Sequence, residues 1–232
     1  MTTQDTTATA GNPMLQREFS KGSATNGQWN NMTSTLSSQA IGLELPNVTI
    51  NRLQINYAAG AAVARIISGK TLKVKGHILA NKTGFACVKS SMLKTPIRLA
   101  TDDLLQIYPV AVNGTANDSE VLSLVHSSAG TLPFGCTTTA DNTATEIIEL
   151  NTAQSVGDVF FGSRILGFQI QLEDGATLNK VTIVDSQGGT VMSLYGGVRA
   201  QAGSVSNIYN LEANANILIQ KGWKMYVYAT SS

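Results

Sequence analysis

The chain has 232 residues and a mass of 24.5 kDa, long enough to bury one large hydrophobic core or two small ones without a covalent staple. Its formal net charge is +1 and 13% of its residues are charged, which excludes both the basic excess that nucleic-acid binding leans on and an acidic tail. Thr, Ser, Asn, Gly and aliphatic residues dominate, a composition suited to half-buried pleated surfaces joined by turns.

The opening Met1-Thr2-Thr3-Gln4-Asp5-Thr6 is polar and carries no apolar run before a cleavage site, so no signal peptide is expected. No stretch approaches the ~18 consecutive apolar residues of a membrane span, so no transmembrane segment is expected either. Residues 1–44 are rich in Thr, Ser, Gln, Asn and Gly and show no sustained period of 2 or 3.6. They read as an extended N-terminal arm whose isolated apolar residues, Met14, Phe19, Trp29, Met32 and Leu36, serve as anchors in pockets of neighbouring subunits. A disordered leader is the competing reading.

Residues 45–113 carry the first set of strand signals. In Val48 to Tyr57 the alternation slips by one residue at Asn51-Arg52, which predicts a β-bulge. Val63 to Ile67, Leu72 to Leu79 and Phe85 to Val88 follow as short strands, and Ile97 to Val112 closes this first sandwich module. Residues 114–145 read as long loops and a linker with one strand, Val121 to His126. Residues 146–232 form a second module, with strands at Glu146 to Leu150, Val159 to Leu172, Val181 to Val184, Val191 to Tyr195 and Val205 to Tyr209. Gly188-Gly189 and Gly196-Gly197 read as turns.

The last run predicts a tight hairpin, with Ile217 to Ile219 and Trp223 to Tyr228 flanking a Lys221-Gly222 tip. Trp223, Met225 and Val227 share one face of its second strand, and Lys224, Tyr226 and Tyr228 share the other. Ile97-Arg98-Leu99 echoes Ile217-Leu218-Ile219, with Asp102-Asp103 in the place of Lys221-Gly222 and Ile107-Tyr108 resembling Met225-Tyr226. The expected fold class is therefore all-β: an antiparallel jelly roll or β-sandwich, as one unit or as two small tandem sandwiches, with an extended N-terminal arm. Any helix is expected to be short and to lie in a connection.

Chemistry is sparse. Cys87 and Cys136 have no second Cys or His at a zinc-ligand spacing and read as buried thiols, with a mutual disulfide left open. His77 and His126 read as surface or loop residues, and no metal or cofactor is expected. Asp102-Asp103 and Glu173-Asp174 read as turn residues, because neighbours on a strand face opposite ways and cannot form an acid–base couple. No Gly-flanked serine of the elbow type is present, so no catalytic residue is singled out and an enzyme is not expected.

The polar arm with isolated anchors, the many short strands and the closing Ile217-Leu218-Ile219-Gln220-Lys221-Gly222-Trp223-Lys224-Met225-Tyr226-Val227-Tyr228 together resemble the jelly-roll virion proteins of bacteriophages. The resemblance is one of pattern along the whole chain and is strongest at residues 216–229. It implies a coat or decoration protein of the capsid, made in the host cytoplasm, whose partners are its own copies, as trimers, and other capsid subunits. The alternative is a carbohydrate-binding or receptor-binding module of a phage fibre, in which Trp29, Tyr226 and Tyr228 would stack on sugars.

Overall fold

The structure, a computed structural model, describes residues 6–7, 13–14, 17–53, 60–80, 91–111, 119–172, 176–199, 208–212 and 217–230. The first part of the chain contains β1 (Thr6–Thr7), β2 (Pro13–Met14), β3 (Phe19–Ser20), β4 (Asn30–Ser34), the one-turn helix α1 (Ile41–Glu44), β5 (Thr49–Leu53), β6 (Gly60–Ser68), β7 (Val74–Ala80), β8 (Ser91–Arg98) and β9 (Asp103–Ala111). The second part contains β10 (Ser119–Ser127), β11 (Gly130–Thr138), β12 (Thr145–Glu146), β13 (Ile148–Glu149), the one-turn helix α2 (Val156–Val159), β14 (Ile165–Leu172), β15 (Thr177–Val184), β16 (Thr190–Arg199), β17 (Ile208–Glu212) and β18 (Lys224–Thr230). The protein is all-β, with four antiparallel sheets, a two-residue ribbon of β1 and β2, and almost no helix.

These sheets make two sandwiches. In the second, a sheet of order β13-β11-β10-β14-β17 faces one of order β12-β18-β15-β16. Alternation builds the core between them: Val121 and Val125 of β10, Phe168, Ile170 and Leu172 of β14, Val181 and Ile183 of β15, and Met225 and Val227 of β18 are all buried. In the first sandwich, a sheet of order β3-β4-β9-β6-β7 faces the pair β5-β8. Its core is Met32, Ile41, Ala62, Ala64, Ile66, Ile78, Ile97, Leu99, Leu105 and Ile107. The bulge read at Asn51-Arg52 is present, as a register shift between Ile50 and Arg52 against β8.

Most ladders of the first sandwich recur in the second, which adds β10 at the centre of its larger sheet. The pairs Phe19–Ser34 and Ser20–Thr33 recur 115 positions later (19 to 134, 34 to 149) as Phe134–Glu149 and Gly135–Ile148. The ladder Arg52–Met92 and Leu53–Ser91 recurs as Gly167–Glu212 and Phe168–Leu211, and β4 on β9 recurs as β12 on β18, with Asn30–Ile107 answering Thr145–Val227. Irregular contacts repeat as well. Asn47 N donates to Leu99 O at 3.2 Å and Gly162 N to Ile219 O at 2.9 Å, while Ser34 N donates to Gln39 O at 2.8 Å and Glu149 N to Gln154 O at 2.9 Å. Residues at matching places take positive φ: Ser38 (61°) with Ala153 (56°), and Asn47 (62°) with Gly162 (74°).

Four sequence expectations are corrected. Residues 19–44 are not an arm: β3, β4 and α1 belong to the first sandwich, because β4 pairs with β9 and Met32 enters the core. Residues 119–138, expected to be loops around one strand, form the nine-residue strands β10 and β11, paired along their full length and central to the second sandwich. The closing hairpin does not form. Gly222 does turn the chain at φ 78°, but Leu218 bridges Arg164, and β18 pairs with β15 and β12. Gly196 lies inside β16 rather than in a turn, where a Cβ would stand 2.5 Å from the Leu178 carbonyl oxygen. The strand read at Phe85 to Val88, Cys87 and the Glu173-Asp174 turn lie outside the described residues.

Candidate functional site

Alternation gives each inner sheet a second face, and in this chain those two faces meet. The outward side of β6, β7 and β9 carries Val63, Leu79 and Tyr108; the outward side of β10 carries Leu122 and Leu124. Together with Trp29 and Leu150 they form a third apolar cluster, a seam that joins the sandwiches into four stacked layers.

A polar network lies along this seam. The Arg65 guanidinium stands 3.8 Å over the Trp29 ring, and the Trp29 and Tyr108 rings meet at 5.3 Å with a 60° tilt. Asn151 Oδ1 accepts from Trp29 Nε1 at 2.7 Å and from an Arg65 terminal nitrogen at 2.9 Å, so one amide oxygen ties the second sandwich to two side chains of the first. Arg65 Nε also donates to Gln106 Oε1 at 2.8 Å. Burial holds the Arg65 guanidinium below its ordinary range, and the Glu149 carboxylate opposes that shift.

Glu149 is itself buried, and its carboxylate shapes the loop that presents Asn151. It accepts from the backbone N–H of Asn151 at 3.0 Å and of Thr152 at 2.8 Å, and from the Asn151 side-chain amide. Ser34 holds the matching loop of the first sandwich, its Oγ accepting from the backbone N–H of Leu36 at 3.2 Å and Ser37 at 3.4 Å.

His77 and His126, read as surface or loop residues, both belong to this region. His77 is half-buried near Trp29, their rings 6.4 Å apart, and its Nε2 is buried with no hydrogen-bond partner. Burial and then the Arg65 charge push its imidazole down from 6.5 to about 4, so it is neutral near pH 7; a backbone hydrogen bond at Thr131 works against that shift, and His126 adds to it. His126 Nδ1 lies 2.8 Å from Thr131 Oγ1.

The anchors read from the sequence have separate fates. Trp29 is partly buried in the seam, Met32 is in the first core and Phe19 is partly buried against that core, so all three pack on the chain's own sandwiches. Met14 lies in β2 with its backbone registered against Thr6, and its side chain is outside the described residues. Among the anchors whose side chains are described, Leu36 alone is bare, at 68% exposure. Cys136 is half-buried against the second core. Arg65, Glu149 and Asn151, which hold the network together, are not singled out by the sequence reading. A lone cation inside the run Ala61-Ala62-Val63-Ala64-Arg65-Ile66-Ile67 is the signal that could have found it.

Among the described residues no group of three or more His, Cys, Asp or Glu is placed to hold a metal ion, and no helix is long and apolar enough to cross a membrane. Comparison with protein-family models, with curated proteins and with solved structures yields no match to this chain.

Proposed function

We propose that the chain is a structural protein of a bacteriophage virion, self-assembling as part of the capsid shell or as a decoration upon it. The observation that carries this reading is the repeated sandwich: two units that share most of their ladders and registers, fixed to each other through a packed seam, present broad sheet faces suited to repeated contact. The resemblance of the residue 216–229 region to jelly-roll virion proteins points the same way, and trimers are the assembly it implies. Copies of such a protein act by burying side chains at subunit contacts and turn over no substrate. Electron microscopy of the purified protein, or of the particle it comes from, tests the reading. Closed rings or a tiled shell are expected; a uniform field of single chains under assembly conditions contradicts it.

One observation favours the second reading, a carbohydrate-binding module of a fibre. Tyr195 is 76% exposed on the same sheet that carries Tyr226 and Tyr228, although Trp29 is partly buried in the seam. A glycan array separates the two, since a shell protein gives no signal.

A further inference from the structure

The seam inside the chain is heterologous: it joins the outward face of the β4-β9-β6-β7 strands in the first sandwich to the β10 side of the second. Because the sandwiches repeat, the β9-β6-β7 half of that seam and the Leu150-Asn151 corner of the other half have counterparts elsewhere in the chain, while β10 with Leu122 and Leu124 has none among the described residues. On the first half, Val63 pairs with Tyr108 on one side and Leu79 on the other. At the matching places of the second sandwich, Lys180 pairs with Tyr228 and with Tyr195. Among the described residues nothing covers that face at Tyr195, which is 76% exposed, and Lys180 Nζ lies 4.0 Å over the Tyr228 ring.

The other half of the seam includes the Leu150-Asn151 corner. Its counterpart is Thr35-Leu36: Leu150 N donates to Pro133 O at 3.0 Å, as Thr35 N does to Glu18 O at 3.0 Å. Asn151 grips the first sandwich, whereas Leu36 is 68% exposed. A chain whose exposed Tyr195 face and Leu36 corner match the two sides of the Asn151 part of its own internal contact can repeat that part with another copy.

We infer that a second copy of this chain docks head to tail, the Leu36 corner of one copy seating on the Lys180, Tyr195 and Tyr228 face of the next, so that the contact between chains follows the place the Asn151 corner takes in the seam within each. The inference rests on the assembly reading above and names the surfaces that reading would use. A heterologous contact of this kind closes into a ring when its rotation allows and otherwise extends as a filament.

Sedimentation velocity on the full chain tests it with Leu36→Asp and Tyr195→Asp, both at exposed positions, after thermal melting has shown each variant folded. The wild type is expected as a multi-chain species and each variant as a single chain of 24.5 kDa. An equimolar mixture of the two variants is expected to recover a species of two chains and no more, because each partner keeps one intact half. A variant that retains the wild-type mass, or a mixture that stays single-chain while the wild type assembles, overturns the head-to-tail contact and leaves the assembly reading standing. A wild type that remains a single chain at every concentration overturns both and leaves the tyrosine face to another partner, such as a glycan.

Discussion

His77 couples the seam to pH. Its imidazole takes a proton near 6.5 when the chain is unfolded and only at about 4 in the folded protein. Between those values the unfolded state binds more protons, so the contribution to stability is complete above pH 6.5 and is lost as the pH falls towards 4. The loss reaches about 3 kcal/mol, and in urea titrations run from pH 7 to pH 4 it is expected in the wild type and absent from His77→Leu. Asn151 makes a second case. Its removal leaves Trp29 Nε1 and one Arg65 nitrogen without their acceptor. Asn151→Ala is therefore expected to cost about 2 kcal/mol by chemical denaturation, against a few tenths for an exposed control such as Gln187→Ala. A third test concerns the Asp103 carboxylate, fully buried and 2.5 Å from Lys75 Nζ. Asp103→Ala leaves the partly buried Ala100 N–H without its acceptor, while the exposed Lys75 ammonium keeps the Arg98 carbonyl, and the substitution is expected to cost about 2 kcal/mol. Arg65 is legible in the sequence as an oddity within an apolar strand. Its acceptor is not, because Asn151 lies 86 positions from Arg65 and 122 from Trp29, and only the fold brings the three together.

Among the secondary-structure elements, the one-turn helices α1 and α2 depend on glycine for closeness. A Cβ on Gly42 would stand 2.2 Å from the Ala100 carbonyl oxygen, and one on Gly157 would stand 2.3 Å from the Trp223 nitrogen. Each helix thus lies directly on the turn that leads into β9 or β18, and backbone atoms there cannot yield as a side-chain tip would. Gly42→Ala and Gly157→Ala are each expected to destabilise the protein by about 3 kcal/mol in chemical denaturation, and equal effects at the two sites would reflect their shared role. The echo of Ile97-Arg98-Leu99 in Ile217-Leu218-Ile219 is readable because both segments alternate into a core. Beyond it the structural match runs Leu105 to Met225 and Tyr108 to Tyr228, whereas resemblance of side chains sets Ile107-Tyr108 against Met225-Tyr226, two positions off. Side-chain similarity cannot hold register when the interior is filled by different residues; paired hydrogen bonds can.

Taken as a whole, the first sandwich depends on residues that composition marks as a polar arm. Deleting residues 1–40 removes β3 and β4, takes Met32 from the core and uncovers an edge of β9. The expected result is rapid hydrogen exchange in β6 and β9 with protection retained in β15 and β18; uniform protection throughout would contradict it. The all-β class, the turn at Gly222 and the inward faces of strands such as β18 follow from residue order, because a period of two assigns each side chain to one side of a sheet whatever its neighbours are. Which strands neighbour one another, and which outward faces become inward, is settled by tertiary packing. Pairings such as β4 with β9 and β12 with β18 join segments far apart in the chain, and the seam buries Val63, Leu79, Leu122 and Leu124 on faces that alternation alone leaves to solvent or to contact with equal right.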